Sequence, residues 1–210
     1  MKSRLDRRTF LKDAGALTAS AAWIASGAAG VASAAALDGQ RISAALFDGR
    51  YSSCRAFADA LGRKGARIFN VQPDAAALWY GPLRDHLASC GGCVAGLTTF
   101  SDSMLSQSFG RDLGLSLRYE GAHDSRGSDV LKHELRAGAK VDEIAGALRG
   151  ADSDWAEALA SVLVRSNPIL RAGRRRSAIT LSASVADHPG FLQSWLLAPK
   201  APGHPSTRSA

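Results

Sequence analysis

From residue 42 onward short β-rich runs alternate with stretches of helical periodicity, and this alternation restricts the fold more than any other feature of the chain. Residues 42–47 (Ile-Ser-Ala-Ala-Leu-Phe) read as a strand ending at Asp48-Gly49. Cys54, Phe57, Ala58 and Leu61 then fall at i, i+3, i+4 and i+7, one face of a helix that Gly62 and Gly65 stop. Residues 67–71 form the second expected strand. Pro73-Asp74 starts a helix with Leu78 and Trp79; Gly81-Pro82 interrupts it, and Pro82 opens another toward Leu87. The third strand spans 93–98. Ser101 or Asp102 is expected to cap a helix that buries Leu105, Phe109 and Leu113, and Gly114 precedes a fourth strand at 116–120. Strands joined by helices of this length imply right-handed crossovers, so the expected fold is a three-layer α/β domain on a mainly parallel sheet of about four strands.

After Gly121 the pattern reads as helical: a charged stretch at 130–135, another at 141–148, and a stronger one at 152–165. In the last, Trp155, Leu159, Val162 and Leu163 share a face behind an Asp152 or Ser153 cap. Residues 178–184 and 192–197 read as strands, and Asp187-His188-Pro189-Gly190 between them predicts an antiparallel hairpin at the sheet edge. The segment from Pro199, with Pro202, Gly203 and Pro205, reads as a disordered tail. Of the 210 residues 46% are hydrophobic, enough for one domain, placed at 35–198. Three cysteines exclude a disulfide-dense miniature scaffold, and no internal period supports a repeat protein.

The formal charge of +7 divides unevenly along the chain. Five basic and two acidic residues lie in the first 34, a net +3; the other 21 basic and 17 acidic residues leave +4, gathered near Arg171, Arg174, Arg175 and Arg176. That local patch, without interleaved exposed aromatics, does not support nucleic-acid binding. Residues 3–12 read Ser-Arg-Leu-Asp-Arg-Arg-Thr-Phe-Leu-Lys, followed by an Ala/Gly-rich run at 14–31 and then Ala32-Ser33-Ala34. Through Arg7, Arg8, Phe10, Leu11 and Lys12 this segment resembles a twin-arginine translocation signal, with Asp6 where the family often has Ser. The resemblance implies recognition by the Tat translocase, folded export to the periplasm and cleavage, here expected after Ala34. Residues 14–36 are nearly long enough to span a bilayer of about 30 Å. They are poor in Leu, Ile and Phe and carry Gly15, Ser20, Ser26, Gly27 and Gly30, so no stable anchor is expected once the signal is removed.

In an open parallel sheet, ligands bind beyond the carboxyl ends of the strands, where loops and helix N-termini converge. The residues expected there are Asp48, Arg50, Tyr51, Ser52 and Ser53; Gln72 and Asp74; Thr98, Thr99, Ser101 and Asp102; and His123 and Asp124. The sharpest hydrolytic arrangement takes Ser101 or Ser53 as nucleophile or ligand hydroxyl, Asp48 and Asp102 as carboxylates, Arg50 as an anion clamp and His123 as base. Asp74, Ser101 and Asp102 are also ordinary helix caps, and no Gly-x-Ser-x-Gly elbow is present.

Cys90-Gly91-Gly92-Cys93 offers a possible disulfide, in a position unlike the helix-opening cysteine of thioredoxin-type sites; Cys54 is an alternative partner for either sulfur. One such pair falls short of a zinc site, His133-Glu134 lacks the second histidine of a zincin, and Gly62-Arg63-Lys64-Gly65 is no phosphate loop. No metal or cofactor is therefore assigned. Three readings follow. The first is an exported accessory or binding protein with a protein or small-molecule partner, a class that includes auxiliary subunits of exported oxidoreductases; the others are a small periplasmic hydrolase and a thiol–disulfide protein acting through Cys90 and Cys93.

Overall fold

Alternation of inward apolar and outward polar side chains gives the chain a sheet with two different halves. The computed structural model describes residues 41–125, 130–138, 140–167, 173, 175–182 and 190–200. The export signal, including Arg7, Arg8, Phe10, Leu11, Lys12 and the cut after Ala34, lies outside them, as do Arg171 and Arg174, residues 187–189 of the expected turn and tail residues 201–210.

In chain order the elements are β1 (Ile42–Phe47), α1 (Ser52–Gly62), β2 (Arg67–Asn70), α2 (Ala75–Tyr80), α3 (Pro82–Cys90), β3 (Cys93–Thr98), α4 (Phe100–Asp112), β4 (Leu115–Asp124), β5 (Val130–Ala137), α5 (Val141–Arg149), a 3-10 turn (Asp152–Asp154), α6 (Trp155–Ser166), β6 (Arg175–Ser182) and β7 (Phe191–Pro199). They build one seven-stranded sheet in the order β2-β1-β3-β7-β4-β5-β6. Among the described residues only β1–β2 and β1–β3 pair parallel; the pairs β3–β7, β7–β4, β4–β5 and β5–β6 are antiparallel.

The expected mainly parallel sheet of about four strands is thus corrected to a mixed, mostly antiparallel one. The crossover from β3 through α4 to β4 does occur, and β4 runs in the same sense as β3. β7, however, returns from the far end of the chain and fills the place between them. The expected hairpin of the last two strands is corrected as well: β7 is central and buried, and β6 pairs with β5 at the opposite edge. The charged stretch at 130–135 is not a helix but part of β5, where Leu131, His133, Leu135 and Ala137 turn inward and Lys132, Glu134 and Arg136 outward. β7 also runs through Pro199, where the tail was expected to start.

One apolar cluster joins Phe57 and Leu61 of α1, Ile144 and Leu148 of α5, and Trp155, Leu159 and Leu163 of α6 to a sheet face presenting Ala45, Leu97, Leu131, Leu135 and Leu196. On the other face Trp79, Leu83, Trp195, Leu46 and Leu197 pack beneath α2, α3 and α4. Here α4 departs from its pattern. It turns Ser103, Ser106 and Gly110 to the sheet and leaves Phe100, Met104 and Leu105 about half exposed, in place of the expected burial of Leu105. The cause is steric: Trp195 crosses Gly96 so closely that a Cβ there would lie 2.2 Å from the indole, and a Cβ on Gly110 would meet Leu197 at 2.5 Å. Trp79 Nε1 donates to Ser106 Oγ at 3.2 Å, so the helix surface beneath must be small and polar.

Candidate functional site

The ends of β1 and β3 bring part of the predicted rim together. Asp48 is wholly buried at the end of β1, and its carboxylate accepts from the backbone N–H, Nε and Nη2 of Arg50, the last at 2.6 Å. That hydrogen bond and ion pair push the already high guanidinium pKa further up. Arg50 also feels the charge of Asp102, across the gap between the two strand ends. Thr99, not Ser101 or Asp102, is the N-cap of α4: its hydroxyl accepts from Asp102 N–H and donates to Asp102 Oδ2 at 2.8 Å. Asp74 caps α2 by accepting from Ala77 N–H. Ser53 is partly buried in the first turn of α1, and Ser101 is exposed on α4.

His123 is not at that rim. It lies inside β4, wholly buried and directly opposite His133 of β5. The two Nδ1 atoms are 2.5 Å apart, so one ring donates and the other accepts. His123 Nε2 lies 2.7 Å from Ser194 Oγ, which in turn lies 3.0 Å from the Tyr119 hydroxyl. Burial raises the phenol pKa. Trp155 covers both imidazoles, with ring centroids at 4.5 and 5.2 Å. A hydroxyl against an imidazole is the pairing that activates a serine nucleophile, yet Tyr119, His123, His133 and Ser194 are all at zero exposure. The chain of contacts can carry its protons in either direction while locking the register of β7, β4 and β5. Gly121 makes room for it, since a Cβ there would lie 2.4 Å from the Tyr119 hydroxyl.

The two residues of the Cys-x-x-Cys pair face different surroundings, and Cys54, Cys90 and Cys93 are all thiols. Cys93 is buried in the cluster under α1 and α6, where burial raises its pKa against a hydrogen bond from Asn167. Cys90 is exposed at the end of α3, 3.4 Å from His86 Nε2. Of the alternatives open for Cys90 and Cys93, this structure has the two as separate thiols.

A further concave surface lies elsewhere, on the sheet face that α4 only borders. A trough of about 550 Å3 is lined by Phe100, Glu120, Glu134, Arg136, Arg176 and Gln193, with Ala122 and Ala178 among its walls. Register fixes its pattern: Glu120, Arg136 and Arg176 form one cross-strand row, and Gln193, Ala122, Glu134 and Ala178 the next. Glu120 Oε1 accepts from Gln193 Nε2 at 2.8 Å and Gln107 Nε2 at 3.4 Å, while Arg136 approaches its other oxygen at 3.5 Å. Lys132 holds Glu134 at 2.5 Å, and this contact draws the carboxyl below its usual pKa. None of these residues was singled out for a site from sequence, apart from Arg176 within its arginine run. The signal that could have found them is the two-residue alternation of 130–137, which puts Lys132, Glu134 and Arg136 on one face.

No protein-family model matches the chain, and neither a curated protein nor a solved structure does. Among the described residues no group of three or more His, Cys, Asp or Glu could hold a metal ion, and no helix is long and apolar enough to cross a membrane.

Proposed function

We propose that this chain is an exported accessory or binding protein, delivered folded to the periplasm, and that its contact surface is the uncovered face of β4, β5 and β6 with the adjoining flank of α4. The observation that carries the reading is that face itself. Strands β1 and β3 are buried beneath helices on both faces, whereas the outer face of β4–β6 presents a charged trough lined in part by half-exposed Phe100, on the helix that also exposes Met104 and Leu105. Contiguous exposed apolar side chains rimmed by polar groups characterise interaction sites. The proposed hydrolytic grouping of Asp48, Ser101, Asp102 and His123 gains no such support, because His123 lies in a buried chain while the others line the rim. The export part of the proposal rests on Arg7-Arg8 and the small residues before Ala35.

Two measurements test it. N-terminal sequencing of the periplasmic form should begin at Ala35, and Arg7→Lys with Arg8→Lys should hold the protein in the cytoplasm. Gentle purification of the exported form should bring down a bound species that Phe100→Ser with Met104→Ser releases. Elution of a clean monomer in both forms contradicts the binding role.

A further inference from the structure

We propose that the trough is a binding site for a monoanionic organic carboxylate with an apolar or aromatic body, its carboxylate held between Arg136 and Arg176. This assignment rests on the open face being the binding surface. Arg136 and Arg176 are register partners on adjacent antiparallel strands, directly opposite one another on the same face. Like charges in that relation destabilise a sheet, so an arginine pair there needs a counter-charge. The protein supplies only part of one. Glu120 already accepts from two amide groups and meets Arg136 at the long distance of 3.5 Å. Glu134, the other carboxylate in the trough, is drawn to Lys132 and acts on Arg176 only through space. Arg176 has no ion pair of its own among the described residues.

The surroundings define the rest of the ligand. Ala122 and Ala178 flank Glu134 in the next cross-strand row, so the lining is shallow there and room is left above the sheet. Phe100, braced edge-on against Phe191 at 6.2 Å, supplies an aromatic wall. A volume of about 550 Å3 suits a small molecule. Two guanidinium groups offer planar forks that match a carboxylate. With Glu134 held by Lys132, Glu120 is left to offset part of the charge of Arg136 and Arg176, a remainder that suits a single negative charge, and the two carboxylates beside it oppose a dianion such as phosphate.

The test is a titration of the isotope-labelled full chain at low ionic strength, followed by backbone amide NMR, with benzoate, benzyl alcohol and inorganic phosphate as probes. Benzoate should move the amides around residues 120–122, 134–136 and 176–178 saturably, with benzyl alcohol and phosphate each weaker by about tenfold. Arg176→Gln should weaken benzoate by about tenfold while leaving the thermal midpoint of the ligand-free protein equal or higher; Arg176→Lys should retain most of the binding. Absence of saturable benzoate shifts at the trough, or benzoate binding unchanged in Arg176→Gln, overturns the assignment. In that event, loss of the co-purifying periplasmic species in Arg176→Gln would show that the ligand class alone is wrong, whereas its retention would count against the binding face as well.

Discussion

The two halves of the sheet solve the same burial problem in different ways. Strands β1, β2 and β3 are parallel, joined by helical crossovers, and those crossovers cover both faces; β1 and β3 are accordingly buried along almost their whole length. Strands β4, β5 and β6 are antiparallel and need no crossover between β4 and β5; α5 and α6 cover one face of this half, and on the other face α4 packs along β4. On β5 the side chains alternate strictly, with Leu131, His133 and Leu135 inward and Lys132, Glu134 and Arg136 outward. β7 joins the halves, and Trp195 on it packs against Gly96 of the parallel side. The buried strands β1 and β3 leave their ends for chemistry, and there Asp48 and Asp102 are already engaged by Arg50 and Thr99. The antiparallel half leaves the charged trough.

The contrast can be broken first at the seam. Trp195→Ala removes the largest side chain shared by the halves and should cost about 3–5 kcal/mol in urea unfolding; a cost below about 1 kcal/mol would mean that the two halves are not packed through it. Within the antiparallel half, Ser194→Ala takes away the partner of both His123 Nε2 and the Tyr119 hydroxyl, and should cost about 1–3 kcal/mol. Wild-type stability in that variant would show the buried chain to be dispensable.

In the parallel half, burial pushes the Cys54 thiol from 9.0 up to about 12. Its folded-state value is the higher one, so the stability it contributes is complete below about pH 9 and declines as pH rises toward about 12. Cys54→Ala should flatten that alkaline decline, read from denaturation midpoints across pH. Under native conditions iodoacetamide should label Cys90 alone, and all three thiols in urea. The smallest effect belongs to the open face: Arg176→Gln relieves a cross-strand repulsion and should gain about 0.2–0.5 kcal/mol without ligand. A loss of more than about 1 kcal/mol would mark Arg176 as a structural residue.

Where structure is set by near neighbours, the chain is legible. Cys54, Phe57, Ala58 and Leu61 are all buried as their spacing requires, Asp74 and Pro82 open their helices, and Trp155, Leu159, Val162 and Leu163 share the inner face of α6. What was not legible depends on distant partners. The place of β7 between β3 and β4 is decided by residues 67 to 103 positions away, and its central position is what overturns the parallel sheet and the edge hairpin. Leu105 follows a helical period, yet Trp195 and Trp79 already fill the space it would occupy. At the site, Asp48, Arg50, Thr99 and Asp102 could be placed at strand ends because each sits within a few residues of one. His123 could not, because β4 extends to Asp124 only when paired with β5, and β5 reads as helix if its alternation is overlooked. Arg136 and Arg176 come together through register, which one sequence does not display.

Arginine footprinting with phenylglyoxal, comparing the periplasmic complex with the stripped protein, tests most directly where this chain makes contact. Protection of Arg136 and Arg176 while Arg50 stays equally reactive is the predicted result. Protection of Arg50 with Arg136 and Arg176 unchanged would move the contact surface to the ends of β1 and β3 and contradict the account.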